Sequence, residues 1–320
     1  MSERDVAGAD SEGAPAVLAS ARGVTFSYGG APPSIVDSNL EVKAGEIVGL
    51  VGRNGAGKST LLRLLIGELT PTAGGVSRAS QPGPDRCVAI GYMSEHTAHF
   101  DALDGIHNAR FFARASGLDS RKAAEAVLEN VDLLGLNDEA AKPVSTYSFG
   151  ARRKLLLVEA LAHRPRLVVL DEPTAGLDAR SRNALTRLLR ARREEGAGIA
   201  VASHDLDFLT ELVDRIVVVH QGRVIVEGPL QELLAKVGSL TRFEFKLEER
   251  PEKLPRDFGP DVDMVRGGDE LLLETKRGQS ALPGAWTALV AAGARISGVV
   301  VREPGLAEVF RHFTGEDLDS

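Results

Sequence analysis

Cysteine is almost absent from this sequence: Cys87 stands alone among 320 residues, so no internal disulfide can form and a reducing cytosol is the natural setting. Long apolar runs are missing as well. No segment offers the about eighteen consecutive uncharged apolar residues that a membrane-spanning helix needs, so any membrane role must come through a partner. Positive charge is not in surplus. The formal net charge is -7, whereas a general nucleic-acid binder carries a basic footprint over its binding domain, so no nucleic-acid partner is expected. The first sixteen residues, MSERDVAGADSEGAPA, lack the apolar centre of a signal peptide and read as a disordered tail. What remains is 43% hydrophobic, enough to build one large domain and a smaller one.

From Val17 onward short apolar runs alternate with longer helical stretches, the pattern of an α/β sheet wrapped by helices. The strands EIVGLVG, RLVVLDE and GIAVASH read as buried on both faces. Between the first two, Ile106 to Ala115 and Arg121 to Leu134 carry helical periodicity and suggest a helical insert over about 95–165. RIVVVHQGRVIVEG reads as a hairpin turning at Gln221 and Gly222. The first domain is expected to span 17–236. The remainder, 237–320, reads as a small α+β domain: FEFKLEE, a turn at Gly267 and Gly268, ELLLETK, a helix near Trp286 to Ala292, and ISGVVVRE. Its segment EERPEKLPRDFGPD reads as a loop.

GRNGAGKST follows a predicted buried strand and opens the helix KSTLLRLLIG. It fits the phosphate-loop pattern G-x-x-x-x-G-K-[ST] through Gly52, Gly57, Lys58 and Ser59. Backbone N–H groups of such a loop, here Asn54, Gly55, Ala56 and Gly57, turn inward around an anion, and the following helix start, with Thr60, adds partial positive charge. Lys58 would reach the β and γ phosphates and Ser59 would bind Mg²⁺ through its hydroxyl. A dinucleotide fold is excluded, because no G-x-G-x-x-G can be read through the loop: Asn54 and Thr60 stand where glycine is required.

Asp171 and Glu172 fall together at the C-terminal edge of a strand, where ligands of open α/β sheets collect. Asp171 suits Mg²⁺, a cation that takes hard oxygen ligands. Glu172 suits the water that attacks the γ-phosphate. His204 ends the next strand, and its imidazole could donate to charge developing on that phosphate.

GRNGAGKST, YSFGARRK, VVLDEPTAGLD and VASHD, in that order, resemble the nucleotide-binding subunit of ABC transporters over Val17 to about Leu234. The resemblance implies a phosphate-loop NTPase sheet of ABC ATPase type, with an antiparallel β subdomain and a helical subdomain. It further implies that YSFGARRK is the signature segment, with Ser148 and the Gly150 N–H meeting the γ-phosphate of ATP held by a second copy of the chain. Arg152, Arg153 and Lys154 then lie along a helix, as solvated charges, in helix pairing or at phosphate. Asp178 in PTAGLD resembles the loop that touches the opposite subunit, and Tyr28 in VTFSYGG resembles the aromatic that stacks on adenine. The expected activity is ATP hydrolysis by a homodimer that powers a separate integral-membrane permease from the inner face of the cell membrane. The ending PGLAEVFRHFTG is similar to that of the drug, lipid and polysaccharide exporter branch, which points to export. The alternatives are a soluble ABC-type ATPase uncoupled from transport and a phosphate-loop kinase, which needs no signature.

Two departures from the family pattern stand out. In place of L-S-G-G-Q, Phe149 occupies a glycine position and Ala151 the glutamine position, which implies slow but genuine hydrolysis. In IGYMSEHTAHF, which looks like the family's glutamine loop, Glu95 stands for the glutamine, where it could still face Mg²⁺ or the attacking water. The neighbouring His96 and His99 read as ordinary surface residues rather than metal ligands.

Overall fold

A computed structural model describes residues 15–79, 89–94, 99–238, 240–249, 251, 253–267 and 270–318. The chain divides into two compact units, 1–227 and 228–320. The disordered tail expected over 1–16 falls almost wholly outside the described residues, as do Cys87, Glu95, His96 and Gly268.

The first unit contains two sheets. Strands β1 (Val17–Phe26) and β2 (Ile35–Lys43), then β3 (Ile47–Val51), helix α1 (Lys58–Ile66), β4 (Ala73–Arg78) and β5 (Ile90–Met93) come first. Helices α2 (Gly105–Ala115), α3 (Ser120–Leu133) and α4 (Phe149–Leu161) follow, then β6 (Leu167–Asp171), α5 (Ala179–Glu194), β7 (Gly198–Ala202), α6 (Leu206–Leu212), β8 (Arg215–His220) and β9 (Arg223–Gly228). One sheet is antiparallel, in the order β2-β1-β4. The other runs β5-β6-β7-β3-β8-β9, and its neighbours from β5 to β8 are parallel.

Every residue of β3, β6 and β7 is buried, which is why these strands are apolar runs without polar alternation, broken only by Asp171 at the end of β6. Helix α1 carries Leu61, Leu62, Leu64 and Leu65 into one core with Leu18, Leu40 and Val42 of the antiparallel sheet and Val48, Val169 and Ala200 of the parallel one. The helix keeps only a narrow side toward solvent, where Arg63 pairs with Glu68 at 2.9 Å. The β8 and β9 hairpin turns through Gln221 and Gly222, both at positive φ (48° and 76°), as a two-residue turn matching strand twist requires. The helical insert starts its helices on side-chain caps: Asp104 accepts from the His107 N–H at 2.8 Å and Asp119 from the Lys122 N–H at 2.9 Å.

The second unit consists of α7 (Leu230–Val237), β10 (Thr241–Glu249), β11 (Val262–Arg266), β12 (Glu270–Thr275), α8 (Leu282–Ala291), β13 (Arg295–Arg302) and α9 (Leu306–Thr314). Its sheet runs β11-β12-β10-β13 and is antiparallel throughout. Phe243, Phe245, Leu271 and Leu273 pack with Ala285 and Leu289 of α8, and Phe258 joins them from the predicted loop. Helix α7, which the sequence assigns to the first domain, packs against α9 and belongs to the second unit. The sequence carries no strand signal for β11, because it is an edge strand with its side chains largely exposed and offers no buried run.

Candidate functional site

The phosphate loop joins β3 to α1, and its glycines answer to packing as well as to the anion. A Cβ at Gly52 would stand 2.3 Å from the Val219 carbonyl oxygen, so the loop leaves β3 pressed against the end of β8. Gly57, at φ 106°, is the residue before the helix and offers no side-chain cap, the kind of helix start at which an anion is favoured. The Lys58 ammonium folds over the loop and donates to the Gly52 carbonyl at 2.6 Å and to that of Arg53 at 3.2 Å. The buried Thr60 side chain stands 3.3 Å from the Tyr28 hydroxyl, which also accepts from Arg63 at 3.1 Å. Tyr28 thus flanks the helix start with its ring exposed at 41% and edge-on to Phe26. An uncapped helix start, a lysine and a flat exposed ring at its flank fit a nucleoside triphosphate.

The remaining residues come to the same edge because the sheet is parallel. Strands β5, β6, β7 and β3 are consecutive neighbours, so the segments after their C-terminal ends, Ser94, Glu172, His204 and the phosphate loop, emerge on one side. Asp171 is buried. Glu172 follows at φ 50°, the left-handed region. Its carboxylate accepts from the Ser203 hydroxyl at 3.3 Å and from the His204 N–H at 3.3 Å, and lies 2.8 Å from His204 Nδ1. Glu172 is well shielded while the His204 ring is 64% exposed, so the imidazole joins the carboxylate to solvent.

Ser148 caps α4: its Oγ accepts from the Ala151 N–H at 3.2 Å, which leaves the hydroxyl proton to donate outward. Phe149 is 62% exposed. Its ring lies over Gly176 in the segment between β6 and α5, where an added Cβ would meet the ring at 2.5 Å, and Gly150 touches the same place, an added Cβ standing 2.6 Å from the Gly176 carbonyl. The signature segment is therefore fitted to PTAGLD within one chain. Asp178 caps α5 through the Ser181 N–H at 2.7 Å, and this bond holds its carboxyl below the usual range.

Three expectations change. The cations of YSFGARRK are not free charges awaiting an anion: Arg152 pairs with Asp101 at 2.8 Å and Lys154 lies 3.5 Å from Asp178. Arg153 is neither solvated nor in helix pairing; it is 1% exposed and donates to main-chain carbonyls at the strand ends. His99 is not a surface residue. Its ring is enclosed, 3.2 Å from Glu159 and 3.3 Å from the Arg152 carbonyl, and burial pushes the Glu159 carboxyl up, partly opposed by the His99 bond. Glu95 lies outside the described residues.

Two further signals of the site lie in the sequence. Ser203, fully buried, ends an apolar run directly before His204. Arg153 occupies the position that Leu156, Leu157 and Ala160 continue at helical spacing, so it falls on a buried stripe.

Among the described residues no helix is long and apolar enough to cross a membrane. The family model described as ABC transporter matches residues 35–175. The daunorubicin resistance ATP-binding protein DrrA3 of Streptomyces coeruleorubidus is 36% identical over 292 residues, covering 87% of this chain and 90% of that protein. The Nod factor export ATP-binding protein I of Sinorhizobium fredii is 32% identical over 304 residues, covering 92% and 85%. A solved structure titled as the ATP binding subunit of an ABC transporter superposes with a TM-score of 0.64 at 28% identity, covering 69% of this chain and 93% of that one. With an uncapped phosphate-loop helix, an acidic strand edge and relatives matched along most of both chains, the protein belongs to the ABC transporter family as one of its ATP-binding subunits.

Proposed function

We propose that this chain hydrolyses ATP as a homodimer and drives a separate integral-membrane permease in export, peripherally bound at the inner face of the membrane. The observation that carries the reading is the Glu172 carboxylate, held by Ser203 and His204 on the sheet edge that also presents the uncapped α1. Lys58 and the loop N–H groups of Asn54, Gly55, Ala56 and Gly57 bind the triphosphate, Thr60 and Tyr28 line its flank, and Tyr28 stacks on the base. The Ser59 hydroxyl and the Asp171 carboxylate are hard oxygen donors that would hold Mg²⁺, which when bound neutralises phosphate charge. Glu172 polarises the attacking water, and a second copy supplies Ser148, the Gly150 N–H and the Asp178 loop to the far side of the nucleotide. His204 holds Glu172 through Nδ1; to donate to phosphate from Nε2 as well, its ring must be the imidazolium.

Export and a permease are supported by the relatives matched over most of the chain, whose names are those of drug-resistance and export proteins. They are also supported by an exposed aromatic group on the helical insert. Phe100 and Phe111 stand 5.1 Å apart, Phe112 lies 5.3 Å from Phe111, and Phe100, Leu103 and Phe111 are each over two-fifths exposed. Apolar surface gathered in this way marks an interaction site. Gel filtration of Glu172→Gln tests the assembly: a dimer that forms only with MgATP is expected, and a monomer at saturating MgATP would overturn it.

A further inference from the structure

Arg153 takes no part in the chemistry above, yet it is the bulkiest fully buried side chain among the described residues. Its Nη1 donates to the Ser94 carbonyl at 3.3 Å, and its Nη2 to the carbonyls of Asp171, at 3.3 Å, and of Glu172. Ser94 leaves β5, Asp171 ends β6 and Glu172 follows it, so one side chain bridges the active edges of two adjacent parallel strands. A guanidinium suits this task because its donors form a rigid planar fork, which a lysine ammonium cannot reproduce. A buried charge must be met by such dipoles.

The second observation is the backbone it grips. Glu172 sits at φ 50°, a conformation that a residue with a Cβ adopts only when its surroundings hold it there. Three bonds hold its main chain: its N–H donates to the Ala202 carbonyl at 2.8 Å, and its own carbonyl accepts from Arg153 and, at 3.4 Å, from the Ala175 N–H. With both peptide groups fixed, the side chain leaves toward Ser203 and His204.

We propose that Arg153 is a positioning residue for hydrolysis: its fork fixes the left-handed turn at Glu172 and so aims the carboxylate at the attacking water. Because Arg153 belongs to α4, which Ser148 caps and whose first turn holds Gly150, the aim of Glu172 is tied to the helix offered to the partner's nucleotide. Turnover, not nucleotide affinity, is what Arg153 sets. This rests on Glu172 being the water-polarising group.

The test is a double-mutant cycle on the full chain, with single-turnover hydrolysis and equilibrium ATP binding measured for Arg153→Met, Arg153→Lys, Glu172→Gln and Arg153→Met with Glu172→Gln. Arg153→Met is expected to lower the hydrolysis rate by about 10- to 100-fold with the ATP Kd unchanged, and Arg153→Lys to recover part of it. In the Glu172→Gln background Arg153→Met should cost nothing further, because it acts through the group already removed. Losses that multiply, or an ATP Kd weakened by the same factor, would show a general structural role and overturn the assignment. Should Arg153→Met fail to fold, Arg153→Lys keeps the buried charge, gives up the fork and carries the same cycle. Wild-type hydrolysis by Glu172→Gln would overturn the role of Glu172 and this inference together, whereas multiplied losses overturn Arg153 alone.

Discussion

The two units use β-sheet in opposite ways. In the first, strands β3, β6 and β7 are buried on both faces and their ends alone meet solvent, so chemistry gathers at the ends. In the second, one face of the sheet is core and the other is water-facing, where Arg242 pairs with Glu274 and Arg302 with Glu244, both at 2.7 Å. A sheet with covered faces concentrates function at one edge, as open α/β sheets do. A half-open sheet spreads polar residues over a surface and marks no single point. The difference explains why the first unit announces its site in short motifs and the second does not.

The largest expected effect lies at the edge. Glu172→Gln should reduce phosphate release by about 100-fold or more while ATP binding, read by equilibrium dialysis, survives. A loss confined to binding would place the chemistry elsewhere. In the second unit the strongest perturbation is Phe243→Ala, expected to destabilise it by about 3–5 kcal/mol in denaturant unfolding without changing the ATP Kd. A changed Kd would break the separation of roles.

Smaller effects sharpen the contrast within the first unit. Restoring Phe149→Gly with Ala151→Gln should raise turnover severalfold if the bulky ring slows the site. Unchanged turnover would mean that the contact of Phe149 with Gly176 has already adapted the segment. Tyr28→Ala should weaken ATP binding by up to about tenfold and Tyr28→Phe hardly at all, since stacking contributes about 0.5–1.5 kcal/mol and needs only the ring. Smallest of all, Arg302→Ala breaks an exposed, solvent-screened pair and should leave the unfolding midpoint almost unchanged.

What could be read beforehand follows the same division. The buried strands, the hairpin at Gln221 and Gly222 and the helices of the insert were legible because aliphatic runs, turn chemistry and periodicity are local signals. Strand β11 was not, because an exposed edge strand buries too little to leave a pattern. The assignment of α7 was not either, because its apolar stripe names no partner and α9 lies some seventy residues along the chain. His99 looked like a surface residue for the same reason: nothing near it in sequence foretells that Glu159 would enclose it.

The sequence by itself determined the chemistry of the nucleotide site, since a phosphate loop and a pair of strand-end carboxylates depend on residue types at short spacing. Only the tertiary structure decided how those groups are held. Ser203 and His204 reach Glu172 across adjacent strands, and Arg153 reaches three carbonyls from a separate helix. Such bonds depend on the order of strands in space, which a parallel sheet sets through crossovers far longer than any motif.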